Sequence, residues 1–222
     1  MKYNLRTVIA IRHAESIRNA LKKGGAPLTT EQLKAGAASA PDWLIPLSEN
    51  GVKQATELSE HLRAKISGLG LNLLDSPGSL TLCTSGFLRC EQTAELATKH
   101  ISSALHSDRV RDIRLRERDA GYAYDMLQSE YDVQFSYTKQ HQELLGDFFY
   151  RPPGGESLAD VYNRLSLFFH DLALNFPNKR NLIIFSHGGT MRALAALLED
   201  MSLEQCVKTV TPKNCEMLVW HD

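Results

Sequence analysis

The chain has 222 residues, 43% of them apolar and 23% charged, and a formal net charge of -1 at pH 7. That is enough for one domain with a substantial core, and the near-neutral charge excludes a general polyanion binder of the nucleic-acid class. No apolar run approaches the roughly 20 residues of a membrane span, and the opening MKYNLRTVIAIRHAE is too short in apolar residues for a signal peptide. A cytoplasmic protein without nucleic-acid or membrane partners is expected.

In chain order, Thr7 to Ile11 reads as a buried strand running into the polar cluster Arg12, His13, Glu15, Ser16 and Asn19. AGAASAP, Ala35 to Pro41, reads as a loop or flexible connector. Ser48 suits the N-cap of a helix with Val52, Ala55, Leu58, Leu62 and Ile66 on one face. Ser79 to Thr84 is a second strand, followed by a helix from about Leu88 to Ile101. Val110 to Leu115 is a third strand, with Ile113 and Leu115 alternating against Asp112 and Arg114. Ser157 and Asp160 form a capping box. The helix they open carries Leu158, Val161, Tyr162, Leu165, Phe168, Phe169 and Leu172 at core spacing. Asn181 to Phe185 is a fourth strand, Thr190 to Leu198 a helix, and Cys215 to Trp220 a late strand at a sheet edge. The four cysteines, Cys83, Cys90, Cys206 and Cys215, form no CxxC pair and read as reduced thiols.

Strands alternating with helices imply an α/β fold: a three-layer α/β/α sandwich with a mostly parallel central sheet and helices on both faces. Ligands of such sheets bind outside the carboxyl ends of the strands. The first strand ends in Arg12-His13 and the second in Thr84-Ser85, with Arg89 just beyond; the third ends in Arg116-Glu117 and the fourth in Ser186-His187-Gly188-Gly189. A surface exit explains one polar end; four on one rim describe a site. Arg12 and Arg89 would repel each other at close range unless an anion sat between them. Gly188-Gly189 ahead of a helix lets backbone approach that anion. A histidine beside it has a neutral imidazole able to attack phosphorus, provided a hydrogen bond holds its other nitrogen. A carboxylic acid must protonate the leaving oxygen. Glu117 is assigned that role, with Glu15 and Asp119 as competitors.

These residues lie in segments that resemble the histidine phosphatase superfamily, in its phosphoglycerate-mutase-like branch. RHAESIRN is similar to its Arg-His-Gly-Glu signature. IPLSENGVKQA, TSGFLRCEQTAE, LRERDAG, PPGGESLADV and FSHGGTMR resemble later elements in the same order, from Thr7 to Arg192. The resemblance implies that His13 is the phosphorylated nucleophile and that Arg12, Arg89 and His187 surround the phosphoryl oxygens. Asn19 and Gly188 would assist, and Glu117 would be the proton donor. No metal or other cofactor is called for. Three positions depart from the pattern: Ala14 replaces a Gly, Arg18 an aromatic, and Gly86 a common Pro, the last expected to be harmless.

The expected protein is a single domain over 1–222, with a lid-like insertion at about 119–155 over the active site. The long segment from Asn19 to Leu47 is a second candidate lid. The expected activity is metal-independent hydrolysis of small phosphate monoesters through a phosphohistidine. The insertion from Asp119 to Pro153 holds eight aromatics but only Lys139 and Arg151 as cations, which favours a hydrolase over a phosphoglycerate mutase. Two further readings stand: a catalytically silent phospholigand-binding or scaffold protein, and a metal hydrolase using His13 and His187. The metal reading lacks HxH or HExxH spacing and is opposed by two arginines.

Overall fold

The apolar run near the start of the chain becomes β1 (Thr7–Arg12), whose first five residues are fully buried. In the computed structural model residues 2–23, 31, 40–71, 80–101, 109–124, 126–178 and 180–222 are described. All of the Ala35–Pro41 connector but its last two residues, and most of the candidate lid between Asn19 and Leu47, lie outside them.

Four further strands join β1: β2 (Thr81–Thr84), β3 (Arg109–Arg111), β4 (Asn181–Ser186) and β5 (Met217–His221), in the order β3-β2-β4-β1-β5. The first four run parallel and β5 is antiparallel to β1, at the sheet edge. Side chains alternate across a strand, and the core divides accordingly. Val8, Ala10, Leu182 and Ile184 face α6 (Leu158–Asn175) and α7 (Gly188–Leu198). Ile9, Ile11, Ile183 and Phe185 face α2 (Glu49–Gly68) and α3 (Leu88–Thr98). The α/β sandwich is therefore as expected, with helices on both faces. Other helices among the described residues are α1 (Ile17–Lys23), α4 (Gln128–Gln134), α5 (Thr138–Phe149) and α8 (Leu203–Lys208).

The caps agree with the sequence reading: Ser48 accepts from Gly51 N–H, and Ser157 and Asp160 form their reciprocal box. Val52 departs from it, at 43% exposed, because the apolar stripe of α2 narrows to Ala55, Leu58, Leu62 and Ile66. The third strand is also shorter than its alternation suggests. The Asp112 carboxylate accepts from the Arg114 N–H at 2.8 Å and turns the chain into a 3-10 segment, Ile113–Leu115. Leu115 is buried there, while Ile113 is 61% exposed at the mouth of a cavity.

Leu165 lies fully buried on α6 between helix and sheet. Leu165→Ala is expected to cost about 2–5 kcal/mol through lost contacts and a residual void. Urea unfolding would read this as a lower midpoint with an unchanged slope.

Candidate active site

Parallel register brings the strand ends level. Arg12 lies beside Ser186, and Thr84 beside both Phe185 and Arg111. The next residues, His13, Ser85 and His187, therefore leave the sheet together. Because β1 stops at Arg12, the alternation of faces no longer separates Arg12 from His13. A half-open cavity of about 800 Å³ lies over this rim. Its wall includes Arg12, His13, Asn19, Arg89, Glu117 and Gly189.

The His13 imidazole is buried, and its Nδ1 lies 2.7 Å from the Ala14 carbonyl oxygen. A carbonyl only accepts, so Nδ1 carries the proton and Nε2 keeps its lone pair. Burial, then the charges of Arg89 and Arg12, push the His13 pKa well below its ordinary value. Ala14 fits its place: its N–H donates to Thr93 Oγ1, and its methyl joins Leu47 and Ala55. The C-terminal segment braces this loop, with Asn214 Nδ2 donating to the His13 carbonyl at 2.9 Å and to Asn19 Oδ1 at 3.3 Å.

His187 packs behind His13 with ring centroids 5.1 Å apart, and it is fully buried rather than part of the cavity wall. Its Nε2 is 2.8 Å from Ser85 Oγ, a pairing that sequence reasoning left without a role. Its Nδ1 has no partner among the described residues. Burial and the neighbouring Arg89 and His13 hold its pKa well below the usual histidine range. The adjacent Cys90 thiol is pushed up to about 12 by burial, consistent with an inert thiol.

Arg12 donates from Nη1 to the Pro212 carbonyl at 2.7 Å, and its buried Nε is unpartnered among the described residues. Arg89 forms a fork with the Asp42 carboxylate, a residue that no sequence signal singled out. Arg18, Trp43 and Tyr124 are among the residues that line the cavity without having been assigned a role. Arg18, in place of the expected aromatic, stacks on the Tyr124 ring at 3.2 Å and donates to its carbonyl. Of the eight insertion aromatics only Tyr124 lines this cavity; the other aromatic walls are Trp43 and Phe87. The insertion's aromatics Tyr131, Phe135 and Tyr150 line a neighbouring cleft.

The two glycines are also places where side chains of the site come close. Gly188 is absent from the cavity wall, and a Cβ there would lie 2.5 Å from Thr211 Cγ2 and 3.4 Å from the Arg12 guanidinium. A Cβ on Gly189 would lie 2.7 Å from Glu117 Oε1. Both therefore make room for side chains of the site. Glu117 Oε1 occupies the start of α7, accepting from Thr190 N–H at 3.2 Å and Arg118 N–H at 2.8 Å. Its segment is held from behind by buried Arg164, which donates to the carbonyls of Arg114, Arg116 and Glu117 and pairs with Glu156. The competitor Glu15 lies off the wall, its carboxylate accepting from Ser48 Oγ and Asn50 Nδ2. Asp119 does line the cavity and accepts from Gly121 N–H. Gly86 has φ +78°, which a proline ring cannot adopt, so the Gly in place of Pro reflects a different turn.

Among the described residues no three His, Cys, Asp or Glu side chains converge as a metal ion would need, and no helix is long and apolar enough to cross a membrane.

The family model described as "Histidine phosphatase superfamily (branch 1)" matches residues 8–221. The chain is 29% identical to the phosphoglycerate mutase-like proteins AT74H and AT74 of Arabidopsis thaliana. The alignments span 96% of this chain and 72% and 63% of those proteins. Over 74% of each chain it is 28% identical to a 2,3-bisphosphoglycerate-dependent phosphoglycerate mutase of Mesorhizobium japonicum. Two solved structures share the fold. A mycobacterial glucosyl-3-phosphoglycerate phosphatase has TM-score 0.67 and 21% identity, covering 96% of this chain and 90% of that one. The alpha-ribazole phosphatase of Shigella flexneri has TM-score 0.64 and 20% identity, covering 96% and 89%. The ordered match along nearly the whole chain, on a sheet whose strand ends gather these histidines and arginines, makes the protein a member of branch 1 of the histidine phosphatase superfamily.

Proposed function

We propose that the protein is a metal-independent phosphomonoesterase that acts on small phosphorylated metabolites through a phosphohistidine. The observation that carries this reading is the state of His13. Its Nδ1–H is committed to a backbone carbonyl, Nε2 is unprotonated, and two guanidiniums stand beside it. Binding alone requires no poised nucleophile, which counts against a silent phospholigand protein.

In this mechanism His13 Nε2 attacks phosphorus in line. The P–O ester bond breaks, and Glu117 gives its proton to the departing oxygen. Arg12 and Arg89 balance charge on the phosphoryl oxygens, with Asn19 assisting. The buried Arg12 Nε lacks a partner among the described residues, and a phosphoryl oxygen would satisfy it. In the second half, Glu117 takes a proton from water as its oxygen attacks phosphorus. The P–N bond breaks, releasing phosphate and His13.

Mutase activity is the second reading, favoured by one observation. The cavity wall carries Arg18, Arg116, Arg118 and Arg192 besides Arg12 and Arg89, so cations are less scarce than the insertion alone suggests. Most are committed: Arg116 to Glu156, Arg18 to Tyr124 and Arg192 to the Val207 carbonyl. Arg118 is the one whose side chain has no hydrogen bond or ion pair to another described residue. That and the half-open cavity support water as the acceptor. Fast interconversion of 3- and 2-phosphoglycerate with little phosphate release would reverse the choice.

His13→Ala is expected to keep the fold, lose nearly all turnover of p-nitrophenyl phosphate, and no longer trap an acid-labile phosphoryl group. Glu117→Gln is expected to slow esters with poor leaving groups by about 10²–10⁴-fold and good ones less; equal losses for both would remove Glu117 from the acid role. Because the folded pKa of His13 lies well below 6.5, the nucleophile stays unprotonated into the acid range. A loss of rate on acidification that titrates at or above 6.5 and moves with His13 would contradict that. The same shift sets a stability trend. Below pH 6.5 the unfolded chain binds protons at His13 and His187 that the folded chain refuses. Stability is therefore full above that pH and falls as pH drops, by about 1.4 kcal/mol per unit per histidine. Denaturant titrations of His13→Asn and His187→Gln should show a shallower slope.

A further inference from the structure

The guanidinium that faces His13 already holds an anion. Arg89 Nη1 and Nη2 each lie 3.2 Å from an oxygen of the Asp42 carboxylate, and Nη1 also donates to the Asp42 backbone carbonyl at 2.7 Å. The Tyr124 phenol donates to Asp42 Oδ1, and Arg18 stacks on that ring. Arg89, Asp42, Trp43, Tyr124 and His13 all line one cavity. The Arg89 side chain is 6% exposed and that of Asp42 31%, so the carboxylate enters from the solvent side while the guanidinium stays fixed in the wall. Asp42 comes from a single 3-10 turn, Asp42–Leu44, in which Trp43 and Leu44 are exposed.

A carboxylate edge and a pair of phosphoryl oxygens are interchangeable partners for a guanidinium fork. They cannot both occupy the Nη1–Nη2 edge that Asp42 now holds. We propose that Asp42 is a specificity-determining residue that competes with the phosphoryl group for Arg89, and that substrate binding moves the Asp42–Leu44 turn off the fork. This rests on the pocket being a phosphoryl site. A singly charged ligand displacing Asp42 replaces one ion pair by another and gains little. A phosphate dianion supplies a charge for Arg89 and a second for Arg12, whose guanidinium donates to the neutral Pro212 carbonyl and feels the Glu117 and Glu216 carboxylates only through space. The exchange therefore favours dianions over monoanionic esters and carboxylates, and it sets a weaker affinity than the two arginines alone would give.

The test is calorimetric titration of the full chain with inorganic phosphate, comparing the unmodified protein, Asp42→Asn and Tyr124→Phe. Asp42→Asn keeps the side-chain shape and removes the competing charge; the phosphate Kd is expected to fall about tenfold or more. Tyr124→Phe leaves every charge in place and removes one hydrogen bond that holds Asp42 on the fork; a smaller fall is expected, and this variant decides the matter alone if Asp42→Asn does not fold. A phosphate Kd unchanged or raised in the folded variants overturns the proposal, since Asp42 would then be holding Arg89 in place for binding. Tighter phosphate binding without ester turnover in any form would sustain the competition and overturn the esterase reading. Turnover lost in His13→Ala together with an unchanged phosphate Kd in both variants would do the reverse.

Discussion

Two guanidinium groups are held beside one buried imidazole, and the surrounding structure answers to that arrangement. Like charges at short range in a low-dielectric wall repel strongly, so each guanidinium needs an acceptor. Arg12 finds the Pro212 carbonyl and Arg89 finds Asp42. Burial first, and then the same positive field, make a charged histidine unfavourable, and both imidazoles are held well below their usual pKa. An electropositive pocket and an uncharged nucleophile are two results of one placement. The parallel register of β1, β2 and β4 produces that placement by ending three strands at one level.

The sheet and its rim were legible because their signals are local. Apolar runs that stop at Arg12-His13, Thr84-Ser85 and Ser186-His187 say where strands end, and the α/β architecture says those ends share an edge. Signals that depend on distant partners were not legible. Asp42 lies in a short turn after a small-residue stretch, and only its fork on Arg89 gives it meaning. The alternation of Ile113 and Leu115 resembles a strand, yet the Asp112 side chain captures the Arg114 N–H and curls the chain. The glycine pair was marked as a place where backbone lies close to a ligand, and that Thr211, Arg12 and Glu117 also crowd it depends on segments distant in the chain. Gly86 in place of Pro was read as harmless; its positive φ describes a turn a proline could not enter.

The acid-bearing segment illustrates support from behind. Glu117 leaves the sheet after a 3-10 turn, with no strand to fix its direction. Arg164 on α6 supplies what pairing does not, by collecting three consecutive-turn carbonyls while Glu156 balances its charge. A guanidinium suits this because its fork satisfies several acceptors in one plane. The start of α7 then presents N–H groups to the carboxylate from the other side. The Ser157 cap and the apolar face of α6 thus bear on the position of a group far from them in sequence.

The brace from Asn214 has a temporal side. The His13 loop follows the first strand, but its carbonyl is secured by a residue 201 positions later, and β5 then closes over β1. During synthesis the edge of the early strand stays open until that later segment emerges and docks. The His13 loop therefore reaches its braced form only after the segment that carries Asn214 has been made.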